Sequence, residues 1–185
     1  VIDEVYEDAK ERMEKAIKSL KAEFNKVRTG RASLSLFEDI RVDYYGTPTP
    51  LKQMASLSVP ESRLVIIQPW DKTVIKDIEK EILKSELGLT PMNDGNVIRI
   101  AIPPLTEDRR KDLVKQVKKI GEEYKVSIRN IRRDANELLK TMKKDGDIGE
   151  DDFYKAQDQV QSLTDEHIKL ADEIYQEKEK EILEF

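Results

Sequence analysis

Cysteine is absent from the 185 residues, which removes disulfides, thiolate nucleophiles, zinc–thiolate centres and iron–sulfur ligation together. Histidine occurs once, as His167, so two-histidine metal sites, an HExxH helix and a facial triad have no ligands. His167 sits at three- and four-residue spacing in the series Phe153, Ala156, Val160, Leu163, His167, Leu170, Ile174. It is therefore read as a helix-packing residue and not as the base of a Ser-His-Asp triad. No apolar run approaches the ~18 residues of a membrane span. The opening VIDEVYEDAKERMEK is charged from Asp3 onward and has no apolar h-region. Neither a transmembrane helix nor a signal peptide is expected within this chain, and a cytoplasmic location fits the lack of cysteine.

Nucleotide-binding loops of the GxxxxGK[ST] or GxGxxG type are also missing. The stretch Asp145-Gly146-Asp147-Ile148-Gly149 opens like a calcium loop. Glu150 then stands where the turn glycine belongs and Ala156 where the bidentate glutamate belongs, so the loop is rejected. No catalytic residue, metal or cofactor is expected, and nothing singles out a carboxylate pair among the 38 acids. Trp70, in QPWDK, is expected to pack at a strand–helix corner, and Tyr44-Tyr45-Gly46 to end a strand.

Proline is confined. All seven fall between residues 48 and 104, and a helix interior tolerates proline at a cost of roughly 3 kcal/mol each. The proline-free stretches are thus free to be long helices. Ile2, Tyr6, Ala9, Met13, Ala16, Leu20, Phe24 and Val27 form one apolar stripe. Leu113, Val117, Ile120, Tyr124, Ile128, Ile131, Ala135, Leu138 and Met142 form a second. The series through His167, continuing to Ile182, forms a third. Three single stripes can close on one another as a three-helix bundle. The central helix should start after Pro103-Pro104, with Thr106 as N-cap, and stop at Asp145-Gly146, spanning roughly 60 Å.

The proline-containing middle reads differently. IRVDYY (40–45), MASLSV (54–59), SRLVIIQ (62–68) and VIRIAI (97–102) are short, mostly β-branched runs separated by Gly-Thr-Pro, Val-Pro-Glu and Asn-Asp-Gly-Asn turns. Asp71 to Leu87 carries helical spacing, capped by Asp71 and ended at Gly88. The expected fold class is α+β in two domains: a long three-helix bundle (1–29 and 106–185) with a small β/α/β domain (32–103) inserted. Residues Thr29, Gly30, Arg31 and Ala32 and the segment Pro103, Pro104 and Leu105 would cross side by side as a double hinge, at 29–32 and 103–106.

The net charge of −5 hides a strong polarity. Residues 105–145 carry 13 basic and 8 acidic groups, while 146–185 carry 4 and 13. On a helical wheel, Lys111, Lys115, Lys118, Lys125, Arg132, Arg133, Lys140, Lys143 and Lys144 lie within about 60° of Arg129. A solvated face bridged to the acidic helix would explain basic residues there. The cluster RNIRRDAN (129–136) argues for more, because three planar guanidinium forks within five residues suit phosphate. A basic ridge ~50 Å long can track a nucleic-acid backbone.

Taken with KVRTGRAS (26–33), VDYYGTPTPL (42–51), LGLTPMNDGNVIRI (87–100), PPLTEDRRKDL (103–113), RNIRRDAN, DIGEDD (147–152) and LTDEHIKL (163–170), the chain strongly resembles the ribosome recycling factor family. The resemblance covers the whole chain. Thr90 is a small departure, since the family often has asparagine there. The resemblance implies an L-shaped molecule and disassembly of the ribosome after termination, with elongation factor G and its GTP hydrolysis as partner. It implies binding to large-subunit ribosomal RNA near the intersubunit bridges, through Arg129, Arg132 and Arg133 and through Arg28 and Arg31. Lys118 and Lys125 join the RNA-binding set from the wheel alone. A monomer is expected. Two alternatives stand beside this reading: a general RNA-binding or RNA-chaperone module, and an enzyme with a carboxylate pair in the hinge cleft.

Overall fold

A computed structural model describes residues 1–184; Phe185, the last residue of the expected bundle segment, lies outside the described residues. The chain divides into two compact units, one made of Val1–Val27 and Asp108–Glu184, the other of Arg28–Glu107.

The first unit is helical. It contains α1 (Ile2–Asn25), α3 (Glu107–Lys144, which begins one residue earlier in the other unit) and α4 (Glu150–Glu184). At 38 residues, α3 is about 57 Å long. The absence of proline permits that length, and Gly146, with φ 79°, ends it in the left-handed conformation that glycine adopts at little cost. Each helix buries one stripe: Ala9, Met13, Ile17, Leu20 and Phe24 on α1, Leu113, Val117, Gly121, Ile128, Ile131, Ala135 and Leu139 on α3, and Phe153, Ala156, Val160, Leu163, His167, Ala171 and Ile182 on α4.

Four positions of the expected stripes give way to neighbours. Ile17 is buried and Ala16 only half-buried, Leu139 is buried and Leu138 is 52% exposed, and Ala171 is buried in place of Leu170. On α3, Gly121 is buried while Ile120 is half-buried. The reason is geometric: a step of three or four residues is equally allowed by spacing, and only the packed neighbours select one. His167 is 5% exposed with Nδ1 2.8 Å from the Leu163 carbonyl, so Nδ1 carries the proton and donates. Thr164 is satisfied in the same way, its hydroxyl donating to the Val160 carbonyl at 2.7 Å. Both polar side chains are thus buried at a cost their own helix offsets.

The second unit holds a two-stranded hairpin of β1 (Arg41–Tyr44) and β2 (Thr47–Pro50), and an antiparallel sheet in the order β3-β4-β6-β5. Its strands are β3 (Ala55–Glu61), β4 (Leu64–Pro69), β5 (Pro91–Asn93) and β6 (Ile98–Ala101). The helix α2 (Ile75–Lys84) buries Ile75, Ile78 and Ile82 in a core with Val42, Leu51, Val65, Ile67, Ile98 and Ile100. The unexpected strands β2 and β5 carry prolines, which read as turns, yet β2 and β5 are edge strands where a missing N–H costs no ladder bond. The turn expected at Val-Pro-Glu falls instead at Ser62-Arg63, because β3 runs through Pro60 with a register shift between Ser58 and Glu61. Asp71 does act as a cap, accepting from the Thr73 N–H at 3.0 Å, but of the single 3-10 turn 72–74 that precedes α2. The helix stops at Lys84, three residues before the expected end, since the Ser85 hydroxyl takes the Ile82 carbonyl at 2.6 Å.

Trp70 departs from expectation. It is 68% exposed and does not fill a strand–helix corner, because β4 turns its alternating side chains inward at Val65, Ile67 and Pro69 and so leaves residue 70 on the outer side.

Candidate nucleic-acid interface

The three faces of α3 have separate tasks. Its apolar stripe enters the bundle, and on a second side Asp134 accepts from Arg12 of α1 at 3.0 Å. On the same helix Tyr124 donates its hydroxyl to Glu23 of α1 at 2.7 Å. The basic side remains for solvent or a ligand.

Along that side, Lys118 and Arg133 are exposed and Arg129 and Arg132 are half-buried. The guanidinium of Arg132 donates to Gln161 Oε1 at 3.5 Å, and that of Arg133 to Asn130 Oδ1 at 3.5 Å. Bonds of that length are weak, and each guanidinium has five N–H donors. Among the described residues neither these two nor Arg129 is held in an ion pair, so their charge is directed outward.

Lys125 behaves otherwise. Its side chain is only 15% exposed and forms ion pairs with Asp172 of α4 and, at 3.1 Å, with Glu122 of its own helix. The bond to Asp172 raises the ammonium pKa above its ordinary value against the opposing effect of burial. Its charge is committed to holding α3 against α4, as the salt-bridged reading of the basic face requires. Lys143 is similarly occupied, 4.8 Å from the ring centre of Phe153 and 5.3 Å from that of Tyr154. Spacing places these lysines on the right side of the helix but carries no information about what stands opposite.

Arg28 and Arg31 belong to the other unit. Both are exposed, and the Arg28 guanidinium donates to the Leu87 carbonyl at 2.6 Å. Between them Thr29 and Gly30 are buried, with Gly30 at φ 80°. Ala32 is part of the second unit's core, its N–H donating to the Ser62 carbonyl at 2.6 Å. Ile102 donates likewise to the Arg63 carbonyl at 2.8 Å. Thr29 to Ala32 and Pro103 to Leu105 therefore all fall within the second unit, whose limits are Arg28 and Glu107.

One residue of the basic sector escapes a reading based on charge. Val126 is 51% exposed and lies about 60° from Arg129 on the wheel. An apolar side chain at that angle is the signal that could have found it. No helix among the described residues is long and apolar enough to cross a membrane.

A long-helix bundle carrying an inserted α/β unit and an arginine-rich outer face defines the class. A family model for ribosome recycling factor matches residues 20–183. The chain is 63% identical over 185 residues to the ribosome-recycling factor of Desulfatibacillum aliphaticivorans and 58% identical over 184 residues to that of Geobacillus sp. (strain WCH70), covering 100% of each chain in both cases. It is similar to a solution structure of ribosome recycling factor, with a TM-score of 0.77 and 41% identity over 100% of this chain and 98% of the other. It is also similar to a chain in models for the T. thermophilus ribosome recycling factor and the E. coli elongation factor G bound to the E. coli post-termination complex. There the TM-score is 0.66, with 43% identity over 99% of each chain. The chain belongs to the ribosome recycling factor family.

Proposed function

We propose that this protein disassembles the post-termination ribosomal complex together with elongation factor G, binding large-subunit ribosomal RNA near the intersubunit bridges. The observation that carries the reading is its similarity, at 43% identity, to a recycling factor described with elongation factor G as bound to a post-termination complex. The outward arginines support it: Arg129, Arg132 and Arg133 with Lys118 present charge-assisted donors along one side of α3, as phosphate recognition needs. Arg28 and Arg31 extend the set on the other unit. Lys125 acts one step back, by fixing the helix that carries them.

The segments Thr29 to Ala32 and Pro103 to Leu105 serve in this reading as a two-stranded hinge through which the elongation factor's push is transmitted. The protein works as a cytoplasmic monomer and supplies no catalytic group. A polysome breakdown assay with purified elongation factor G and GTP tests the function. Breakdown that requires all three components is the expected result. Binding to free duplex RNA as tight as to the ribosome, without breakdown, would point instead to a general RNA-binding module.

A further inference from the structure

We propose that Tyr45, Trp70 and Asp71, at one end of the second unit, form a docking site for an arginine side chain presented by a protein partner. Tyr44 pairs with Thr47 across the hairpin, which leaves Tyr45-Gly46 as a two-residue turn. Tyr45 has φ 50° and Gly46 φ 85°. Such turns favour Asn or Gly first, and a bulky aromatic residue adopts that backbone reluctantly. Tyr45 makes no return on the strain through burial, being 83% exposed. Its ring touches that of Tyr44, edge to face at 4.5 Å between centres.

The Tyr44 hydroxyl reaches Asp71 Oδ2 at 3.5 Å, which joins the hairpin turn to the end of β4. There Trp70 is 68% exposed, its backbone held by an N–H bond to the Met54 carbonyl at 3.1 Å. Two large exposed aromatic side chains thus belong to the neighbourhood of one carboxylate: Trp70 precedes Asp71 in the chain, and Tyr45 packs on the Tyr44 ring whose hydroxyl reaches Asp71. Thr73 orients that carboxylate, donating its hydroxyl to Oδ1 at 2.6 Å and its N–H at 3.0 Å. Those two bonds hold the Asp71 carboxyl below its usual range, so it is charged at neutral pH. Among the described residues, Oδ2 accepts only the long Tyr44 bond.

Aromatic faces attract cations, and a guanidinium lies flat on a ring while its edge donates to a carboxylate. A nucleic-acid base could also stack here. Against that, an ionised carboxylate repels phosphate, and residues 31–104 carry 9 basic and 10 acidic groups, so no positive field draws a strand in. The charge favours an arginine.

The test uses the full chain and follows the indole N–H resonance of Trp70, the chain's sole tryptophan, with the Gly46 amide. Octa-arginine, octa-lysine and octa-uridylate are the probes. Octa-arginine should shift both resonances saturably, at several-fold lower concentration than octa-lysine, and octa-uridylate should leave them unmoved. Tyr45→Asn, which suits the turn, should raise the unfolding midpoint and weaken the octa-arginine response several-fold; Asp71→Asn should weaken it too. Equal responses to the two cations, unmoved Trp70 and Gly46 resonances, or shifts caused by octa-uridylate would overturn the proposal. So would a Tyr45→Asn protein of lowered stability, since Tyr45 would then be structural.

Discussion

Gly121 of α3 stands opposite Tyr175 of α4: a methyl group on the glycine would lie 3.9 Å from the tyrosine Cβ, and equally far from Phe24 Cζ of α1. That is ordinary van der Waals separation, so the position has room for alanine. Glycine in a helix interior costs about 1 kcal/mol relative to alanine. Gly121→Ala should therefore stabilise the bundle by ~0.5–1 kcal/mol in urea unfolding. A loss of stability would mean that the space beside Phe24 and Tyr175 does not accept the methyl group.

Arg132 and Lys125 should separate binding from folding. Arg132→Ala leaves the apolar stripe intact, and its stability should stay within about 0.5 kcal/mol of the parent. Ribosome affinity should fall by ~1.5–3 kcal/mol if the guanidinium makes a charge-assisted phosphate contact. Lys125→Ala should show the reverse balance, with a stability loss of ~1 kcal/mol from the broken pair with Asp172 and a smaller effect on affinity. Sedimentation binding and chemical unfolding on the two variants decide the matter.

Binding to the ribosome should weaken with salt although the net charge is −5. Phosphates respond to the nearest charges, because at roughly 0.15 M ionic strength the Debye length is about 8 Å. Each neutralised phosphate releases counterions, so log affinity should fall against log salt with a slope of several units. Changing Arg129, Arg132 and Arg133 together to Gln should give a visibly shallower slope. An unchanged slope would place the phosphate contacts elsewhere.

Tyr175 supplies a pH prediction. Burial, and then the hydrogen bond from its hydroxyl to Glu179, push its pKa from 10.0 up to about 12. Between those two values the unfolded chain has released the proton while the folded one retains it, so stability contributed by this group falls as pH rises. It is fully present below pH 10 and lost on passing about pH 12. Tyr44 and Tyr124 are also shifted upward, so ultraviolet titration of the six tyrosines should show a late group of which the component near pH 12 is missing in Tyr175→Phe. A titration with no component above the ordinary range would place the Tyr175 phenol in water.

The hinge proposal predicts inter-unit orientations that vary in solution. Residual dipolar couplings measured in two alignment media should refuse a single fixed orientation of the two units. One orientation satisfying both sets would remove the hinge.

How far the sequence reached depends on the range of the forces involved. Proline placement and three- and four-residue spacing are local, and they sufficed for α1, α3, α4 and the end of α3 at Asp145-Gly146. They also sufficed for the core of the second unit at Val65, Ile67, Ile98 and Ile100, where β-branched runs name themselves. The strands β2 and β5 escaped because proline argues against a strand unless that strand is at an edge, and edge position is a property of the assembled sheet. The arginine ridge was legible for the same local reason: a wheel turns spacing into a face. Whether a charge on that face is available was not legible. Lys125 and Arg129 sit within about 40° of each other on the wheel. Only the approach of Asp172, 47 positions further along the chain, neutralises one and leaves the other outward. Tertiary structure alone likewise exposed Trp70, buried Leu139 in place of Leu138, and brought the Tyr44 hydroxyl to Asp71. Each of these is decided by what a distant segment puts opposite the residue, and no local periodicity records that.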